Sequence, residues 1–224
     1  EKQREYAAMV EMTVLKSREE WLVNRRKGLG GSDCSAVIGF NPYKSNVDLW
    51  REKTGRTEQE DISNKPYVKY GTQAEWYLRE LFKLDYPQFD VDYVENNSFY
   101  NAKYPFARAS LDGWLTDDSG RKGVLEIKTT EILSAGQRAK WKDRIPDNYF
   151  CQVLFYMAVL EADFAVLKAQ IKTVIDGDVR LETKHYKIER ADVQGDIDYL
   201  MNACRDFWQY VKDDKEPPLV LPSL

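Results

Sequence analysis

Val124-Leu125-Glu126-Ile127-Lys128-Thr129 is the stretch on which the reading of this chain turns. It is short, rich in β-branched residues and preceded by the turn Asp117-Asp118-Ser119-Gly120, so a strand is predicted over Gly123–Thr130. Side chains alternate across a strand, which puts Glu126 and Lys128 on one face and packs Leu125 and Ile127 on the other. A carboxylate and an ammonium two residues apart on a short central strand either pair with each other or do chemistry together. Glu-x-Lys on a solvated strand face is common, and the tripeptide alone decides nothing.

The preceding segment adds to it. A strand over Phe106–Leu115 runs into Ser110-Leu111-Asp112-Gly113, and as the first arm of a hairpin it brings Asp112 beside Glu126, within reach of one cation. Two carboxylates that close repel unless a hard divalent ion neutralises them, and an all-oxygen donor set suits Mg²⁺ or Mn²⁺ rather than zinc. Asp-Gly is equally the composition of a plain turn. A third carboxylate comes from a helix over Pro66–Leu84, where Gly71, Ala74, Glu75, Leu78, Leu81 and Phe82 recur at 0, +3, +4, +7, +10 and +11. An acid on that inward stripe needs a partner, while Arg79, Glu80 and Lys83 read as the outer face. A helix over Asp147–Leu160 places Gln152 among Tyr149, Val153, Tyr156 and Leu160 on a stripe of its own.

Around this centre the chain reads as one domain, 1–224, with a charged leader (1–16) and a Pro-containing tail (214–224). Ser17–Arg26 reads as a helix. The glycine turn Gly28-Leu29-Gly30-Gly31-Ser32-Asp33 then delivers an N-cap to a helix near Cys34 that Asn41-Pro42 stops, and Asn46–Lys53 is another helix. Val91–Tyr100 reads as a strand, Phe164–Val174 and Glu182–Glu189 as two more about the Asp176-Gly177-Asp178 turn, and Asp192–Lys212 as a closing amphipathic helix. The order implies an α/β fold with a mixed central sheet flanked by helices.

Composition narrows the class. The 224 residues carry 33 basic and 37 acidic side chains, a net charge of −4, with 43% hydrophobic and 13% aromatic residues, enough for one core and unlike a disordered chain or a disulfide-stapled miniprotein. No apolar run approaches the roughly 20 residues of a membrane helix. The start lacks the apolar region of a signal peptide and an initiator Met, which points to a trimmed chain with the cytoplasm as its compartment. Cys34, Cys151 and Cys204 are odd in number and widely spaced, against both a disulfide framework and a four-thiolate metal site. His185, the only histidine and read as a surface residue, excludes histidine-metal nucleases and argues against a Ser-His-Asp triad. The Phe207-Trp208 pair reads as core, with Trp50 or Tyr43 placed to stack on bases near an entrance.

These segments, in this order, resemble the PD-(D/E)xK nuclease superfamily, and within it the phage lambda exonuclease or YqaJ-type viral recombinase family, over roughly Trp21 to Tyr156. The resemblance rests on Trp21 and Arg25 ahead of the glycine turn and Ser32; Gly71-x-Gln73-x-Glu75 on a helix with Leu81-Phe82; Ser110-x-Asp112-Gly113; Leu125-Glu126-x-Lys128; and Tyr149-x-x-Gln152-Val153. Leu111 stands where the nominal Pro would be, a position that ligates nothing. The resemblance implies a restriction-endonuclease-like core and one or two Mg²⁺ (or Mn²⁺) ions. Asp112, Glu126 and the Ile127 carbonyl would be ligands, with Glu75 on a second ion or a bound water. Lys128 would act on the attacking water and the transition state, and Gln152 and Tyr149 would position water and the scissile strand. Arg25 and Ser32 would meet a 5′-terminal phosphate, a role that suits an Arg fork beside a helix N-terminus; read from residues alone, they are equally a capped helix with a surface Arg nearby.

The activity so implied is exonucleolytic digestion of duplex DNA 5′→3′, leaving 3′ single strands for phage-type recombination. A single-strand annealing protein and a ring-forming trimer would be its partners, in a bacterial host cytoplasm. The alternatives are an endonuclease or resolvase of the same fold, a Cas4-like or RecB-like nuclease (whose iron–sulfur type needs four cysteines), and a non-catalytic DNA-binding assembly protein. The acidic balance does not oppose a DNA partner: from Glu189 onward four basic residues face eight acidic ones, the whole net charge, whereas Arg121–Asp147 holds seven basic against four acidic, including the Arg138, Lys140, Lys142 and Arg144 run.

Overall fold

Local signals start most of the elements in the computed structural model, which describes residues 9–58 and 60–221. A strand β1 (Val10–Val14) precedes helix α1 (Arg18–Arg26). The Ser17 side chain accepts from the Glu20 amide, and acids open α1 while Arg25 and Arg26 close it, in line with the helix dipole. A two-residue β2 (Leu29–Gly30) leads into the short α2 (Gly31–Val37), where the Asp33 carboxylate reaches back to the Gly30 N–H at 2.9 Å. Helix α3 (Asn46–Lys53) has a Ser45/Asp48 capping box, and α4 (Pro66–Asp85) opens on a proline whose missing N–H costs nothing there.

Then come β3 (Phe89–Asp92), β4 (Asn97–Asn101), β5 (Ala107–Arg108), β6 (Gly113–Asp117) and β7 (Lys122–Ile132). After α5 (Ala135–Lys140) and α6 (Asp147–Leu160), β8 (Phe164–Ile175) and β9 (Asp178–Glu189) form a hairpin, and α7 (Arg190–Lys212) follows. The β8–β9 turn is Asp176-Gly177, both at positive φ (51° and 87°), as a two-residue hairpin loop demands.

The main sheet runs β3-β6-β7-β8-β9. Strand β7 lies at its centre, antiparallel to β6 and parallel to β8, and the parallel connection is made through α5 and α6. Leu125 and Ile127 pack under α4 with Leu78, Phe82, Phe164 and Val166, while Val124 joins the larger core built with α2, α6 and α7. The alternation therefore turns Glu126 and Lys128 towards the α6 side. Among the described residues no helix is long and apolar enough to cross a membrane.

Several expectations are corrected. Within the charged leader, where the sequence predicts no element, Val10–Val14 forms a strand that pairs antiparallel with β4. Val91–Tyr100 is not one strand: Asn96, at φ 56°, breaks it, β3 stays in the main sheet, and β4 leaves to pair with β1. Phe106–Leu115 is likewise interrupted. The buried Asn97 side chain donates to the Leu111 carbonyl at 2.9 Å and accepts from the Leu111 N–H at 2.8 Å, taking over the bonds a strand ladder would have made. Helix α5 was not anticipated. Leu81 is exposed, and Arg79 is buried. His185 is half-buried rather than a surface residue: it packs against the stacked rings of Phe82 and Tyr86 of α4, and its Nε2 is buried without a partner. Trp50 is core, its indole N–H donating to the Tyr210 carbonyl, while Tyr43 is fully in solvent.

Candidate active site

Strand β7, the turn before β6, helix α4 and helix α6 meet at a polar cleft of about 350 Å³. Its walls include Glu75, Asp112, Glu126, Lys128 and Gln152, together with Arg25 and Ser32. A hollow of similar size, about 370 Å³, lies against α5 with Ile132, Trp141 and Ile171 in its walls and no pair of carboxylates. The candidate site is the first.

The hairpin does bring Asp112 beside Glu126. One Asp112 oxygen accepts the Ile127 N–H at 2.8 Å, and Lys128 Nζ stands 2.6 Å from Glu126 Oε1. Glu126 is almost fully buried, and its other oxygen, Oε2, has no hydrogen-bond partner. Glu75 comes in from α4, tied at 2.9 Å to Arg79. Burial, followed by the charge of Asp112, pushes the carboxyls of Glu75 and Glu126 well above the usual carboxylate range, and burial raises Asp112 too. Burial works against the charge on Lys128, but Glu126 and Asp112 outweigh it and hold the ammonium above its ordinary value. Gln152 donates to the Tyr156 hydroxyl at 3.1 Å.

Tyr149 is not on the cleft wall. Its ring lies behind Lys128, whose Nζ is 5.1 Å from the ring centroid, and it packs on Trp141.

As these side chains sit, no three acids, histidines or cysteines among the described residues are gathered to hold a metal ion; each carboxylate is turned onto an N–H or a cation. The donor set fits a hard divalent cation all the same. The charge of Asp112 raises the proton affinity of both Glu75 and Glu126, Lys128 and Arg79 offset only part of the charge, and Glu126 keeps one oxygen buried and unpartnered, an arrangement a cation of charge two would relieve.

The second end of the cleft is built by α1 and the glycine turn. Arg25 Nη2 donates to Ser32 Oγ at 2.8 Å, and its guanidinium lies over the Trp21 ring, 4.8 Å from the centroid. The Trp21 indole in turn donates to Ser110 Oγ at 2.8 Å. Gly31 is required here, because a Cβ would come within 2.4 Å of the Tyr156 ring. The helix dipole invoked from sequence contributes less than expected: α2 is only seven residues long, and Asp33, ion-paired to Lys53 at 2.7 Å, already takes the Gly30 N–H. Arg25 and the exposed Ser32 hydroxyl remain on this wall, together with Arg18 and Arg108, as groups able to meet an anion. Sequence reasoning missed Arg79, Arg18, Arg108 and Tyr93; Arg79 falls one turn after Glu75, and that spacing was the available signal.

The sequence pattern of the YqaJ-like viral recombinase domain matches residues 20–163. An uncharacterized protein YqaJ of Bacillus subtilis strain 168 is 32% identical over 198 residues, covering 86% of this chain and 56% of that protein, so the chain spans about half the length of the curated relative it matches. Among solved structures, an alkaline exonuclease from Laribacter hongkongensis superposes with a TM-score of 0.66 at 18% identity, over 88% of this chain and 93% of that one. A complex of that exonuclease with dAMP gives 0.59 at 17% identity, with coverage of 88% and 93%. A phage-related exonuclease from Haemophilus somnus gives 0.50 at 14% identity over 84% of this chain and 96% of that one. At these identities the likeness concerns the fold, which is the mixed α/β, restriction-endonuclease-like one.

Proposed function

The chain belongs to the YqaJ-like viral recombinase domain family, and on that footing we propose that it is a Mg²⁺-dependent deoxyribonuclease, an exonuclease that degrades duplex DNA 5′→3′ from a 5′-phosphorylated end and leaves 3′ overhangs for phage-type recombination. The observation that carries the reading is the convergence of Glu75, Asp112, Glu126 and Lys128 on one cleft, with a buried Glu126 oxygen left unpartnered. The alkaline exonuclease whose fold it shares, and that enzyme's complex with dAMP, support it.

Asp112, Glu126 and the Ile127 carbonyl would hold one ion, and Glu75 a second ion or its water; Mn²⁺ is the alternative occupant. Bound there, such an ion lowers the pKa of water and screens the phosphate. Lys128, kept cationic by Glu126 and Asp112, orients the water and stabilises charge on the phosphoryl oxygens. Gln152 reaches the cleft directly and positions water or the scissile strand. Tyr149 acts by backing the Lys128 ammonium, which replaces the direct strand contact expected of it. Arg25, oriented by Trp21 and Ser32, takes the terminal phosphate. A single-strand annealing protein, a ring-forming trimer and a cytoplasmic site of action belong to the same proposal.

The test is degradation of linear duplex with a 5′-phosphate, linear duplex with a 5′-hydroxyl, and closed circular duplex, with and without Mg²⁺. Rapid Mg²⁺-dependent loss of the first alone is expected, abolished in Lys128→Ala and reduced to the 5′-hydroxyl rate in Arg25→Ala. Equal rates on circular and linear DNA would establish the endonuclease instead.

A further inference from the structure

Arg79 is 3% exposed, yet it is an arginine on the helix that faces the active cleft. Its Nη1 donates to Glu75 Oε1 at 2.9 Å and to the backbone carbonyl of Asp112 at 2.6 Å, and its Cζ lies 3.5 Å from the centroid of the Tyr93 ring. Glu75, Asp112 and Tyr93 all form the cleft wall; Arg79 does not. One buried cation thus stands a layer behind the wall and touches three wall residues from three separate segments: helix α4, the turn before β6 and the loop after β3. Burying a guanidinium is expensive unless every neighbour offsets it. Here a carboxylate, a carbonyl oxygen and an aromatic face do so at once: Nη1 makes both hydrogen bonds while the flat guanidinium lies against the ring, a stacking contact that a Lys ammonium lacks.

We propose that Arg79 is a positioning residue for the divalent-ion site: it fixes Glu75 of α4 against the Asp112 turn, so that the two carboxylates are held at the spacing an ion requires. The charge of Arg79 also offsets the repulsion of Asp112 on Glu75, since the guanidinium favours the ionised form of both. The inference rests on the ion-dependent reading above and adds the group that assembles the site. Arg79 touches neither substrate nor ion.

The experiment is calorimetric titration of Mg²⁺, and separately Mn²⁺, into the wild-type chain and Arg79→Lys, read beside thermal melting and the kinetics on 5′-phosphorylated linear duplex. Arg79→Lys should melt cooperatively, bind Mg²⁺ about tenfold to a hundredfold more weakly, as loss of an outer partner of a metal ligand does, and regain kcat as Mg²⁺ is raised, with KM for DNA unchanged. A Mg²⁺ affinity equal to wild type, whatever the melting temperature, overturns the proposal. Should Arg79→Lys not fold, the charge-neutral pair Arg79→Gln with Glu75→Gln is compared with Glu75→Gln alone. The pair should bind Mg²⁺ several-fold more weakly, through the lost contact to the Asp112 carbonyl, and equal affinities overturn the proposal. A wild-type chain that binds Mg²⁺ but degrades no DNA removes the nuclease reading and leaves the titration to decide Arg79; one that binds no divalent ion overturns both.

Discussion

Glu126 is held almost without solvent between Lys128 and the Asp112 turn, and its raised proton affinity has a sign that can be measured. A carboxyl whose folded pKa lies above its unfolded value favours the protonated fold, so in EDTA stability falls as pH rises from the ordinary carboxylate range through the raised values of Glu126, Glu75 and Asp112. A divalent cation bound there would reverse that loss. Mg²⁺ should therefore raise the melting temperature more at alkaline than at mildly acidic pH, and Glu126→Gln should reduce the difference; a Mg²⁺ effect independent of pH would sink the assignment. Tyr149 permits a finer test, since Tyr149→Phe keeps the ring behind Lys128 and should stay near wild-type rate, whereas Tyr149→Leu should lower kcat. The residues legible in the sequence were those whose placement follows from strand alternation and one tight turn, Asp112, Glu126 and Lys128. Arg79 was not, because a helical arginine is solvated by default and only its three tertiary partners make it an inward group.

At the scale of elements, the β6–β7 hairpin, the helix carrying Glu75 and the β8–β9 pair all follow from periodicity and turn chemistry. The break between β3 and β4 does not: Asn96 turns the chain at φ 56°, and Asn97, the first residue of β4, then bonds to Leu111 fourteen residues away, a partner that no local pattern names. Asn97→Ala would strand the Leu111 N–H and carbonyl in the interior, each unsatisfied group costing about 1–3 kcal/mol. A clear drop in melting temperature together with weakened Mg²⁺ binding is expected, because Leu111 precedes Asp112; a neutral mutant would show that the bridge does not hold the turn. Gly31→Ala tests the contact of α2 with α6. Its Cβ would press on Tyr156, overpacking that costs about 1–3 kcal/mol, and by displacing Ser32 from Arg25 it should erode the preference for a 5′-phosphate.

Over the whole molecule the charge is segregated in the way the amino-acid order suggests. The acids of α7, Asp192, Asp196, Asp198 and Asp206, are exposed, and so are Arg138, Lys140, Lys142 and Arg144 along and after α5. If that basic run tracks a DNA backbone, Arg138→Ala with Lys142→Ala should raise KM for DNA and flatten its salt dependence by about one unit of slope per lost phosphate contact, with Mg²⁺ affinity intact. Unchanged salt dependence would remove the run from the DNA path. The composition could not place this surface, because α5 lacks an apolar stripe and has no buried residue, so nothing in its periodicity announces a helix. The turn Ser110-Leu111-Asp112 is the opposite case. The Trp21 indole holds its first residue, Asn97 both backbone groups of its second, Arg79 the carbonyl and Ile127 the carboxylate of its third. Anchored at each residue from a different part of the chain, it surrenders its conformational entropy during folding, and an ion held by Asp112 would be spared the cost of ordering that ligand.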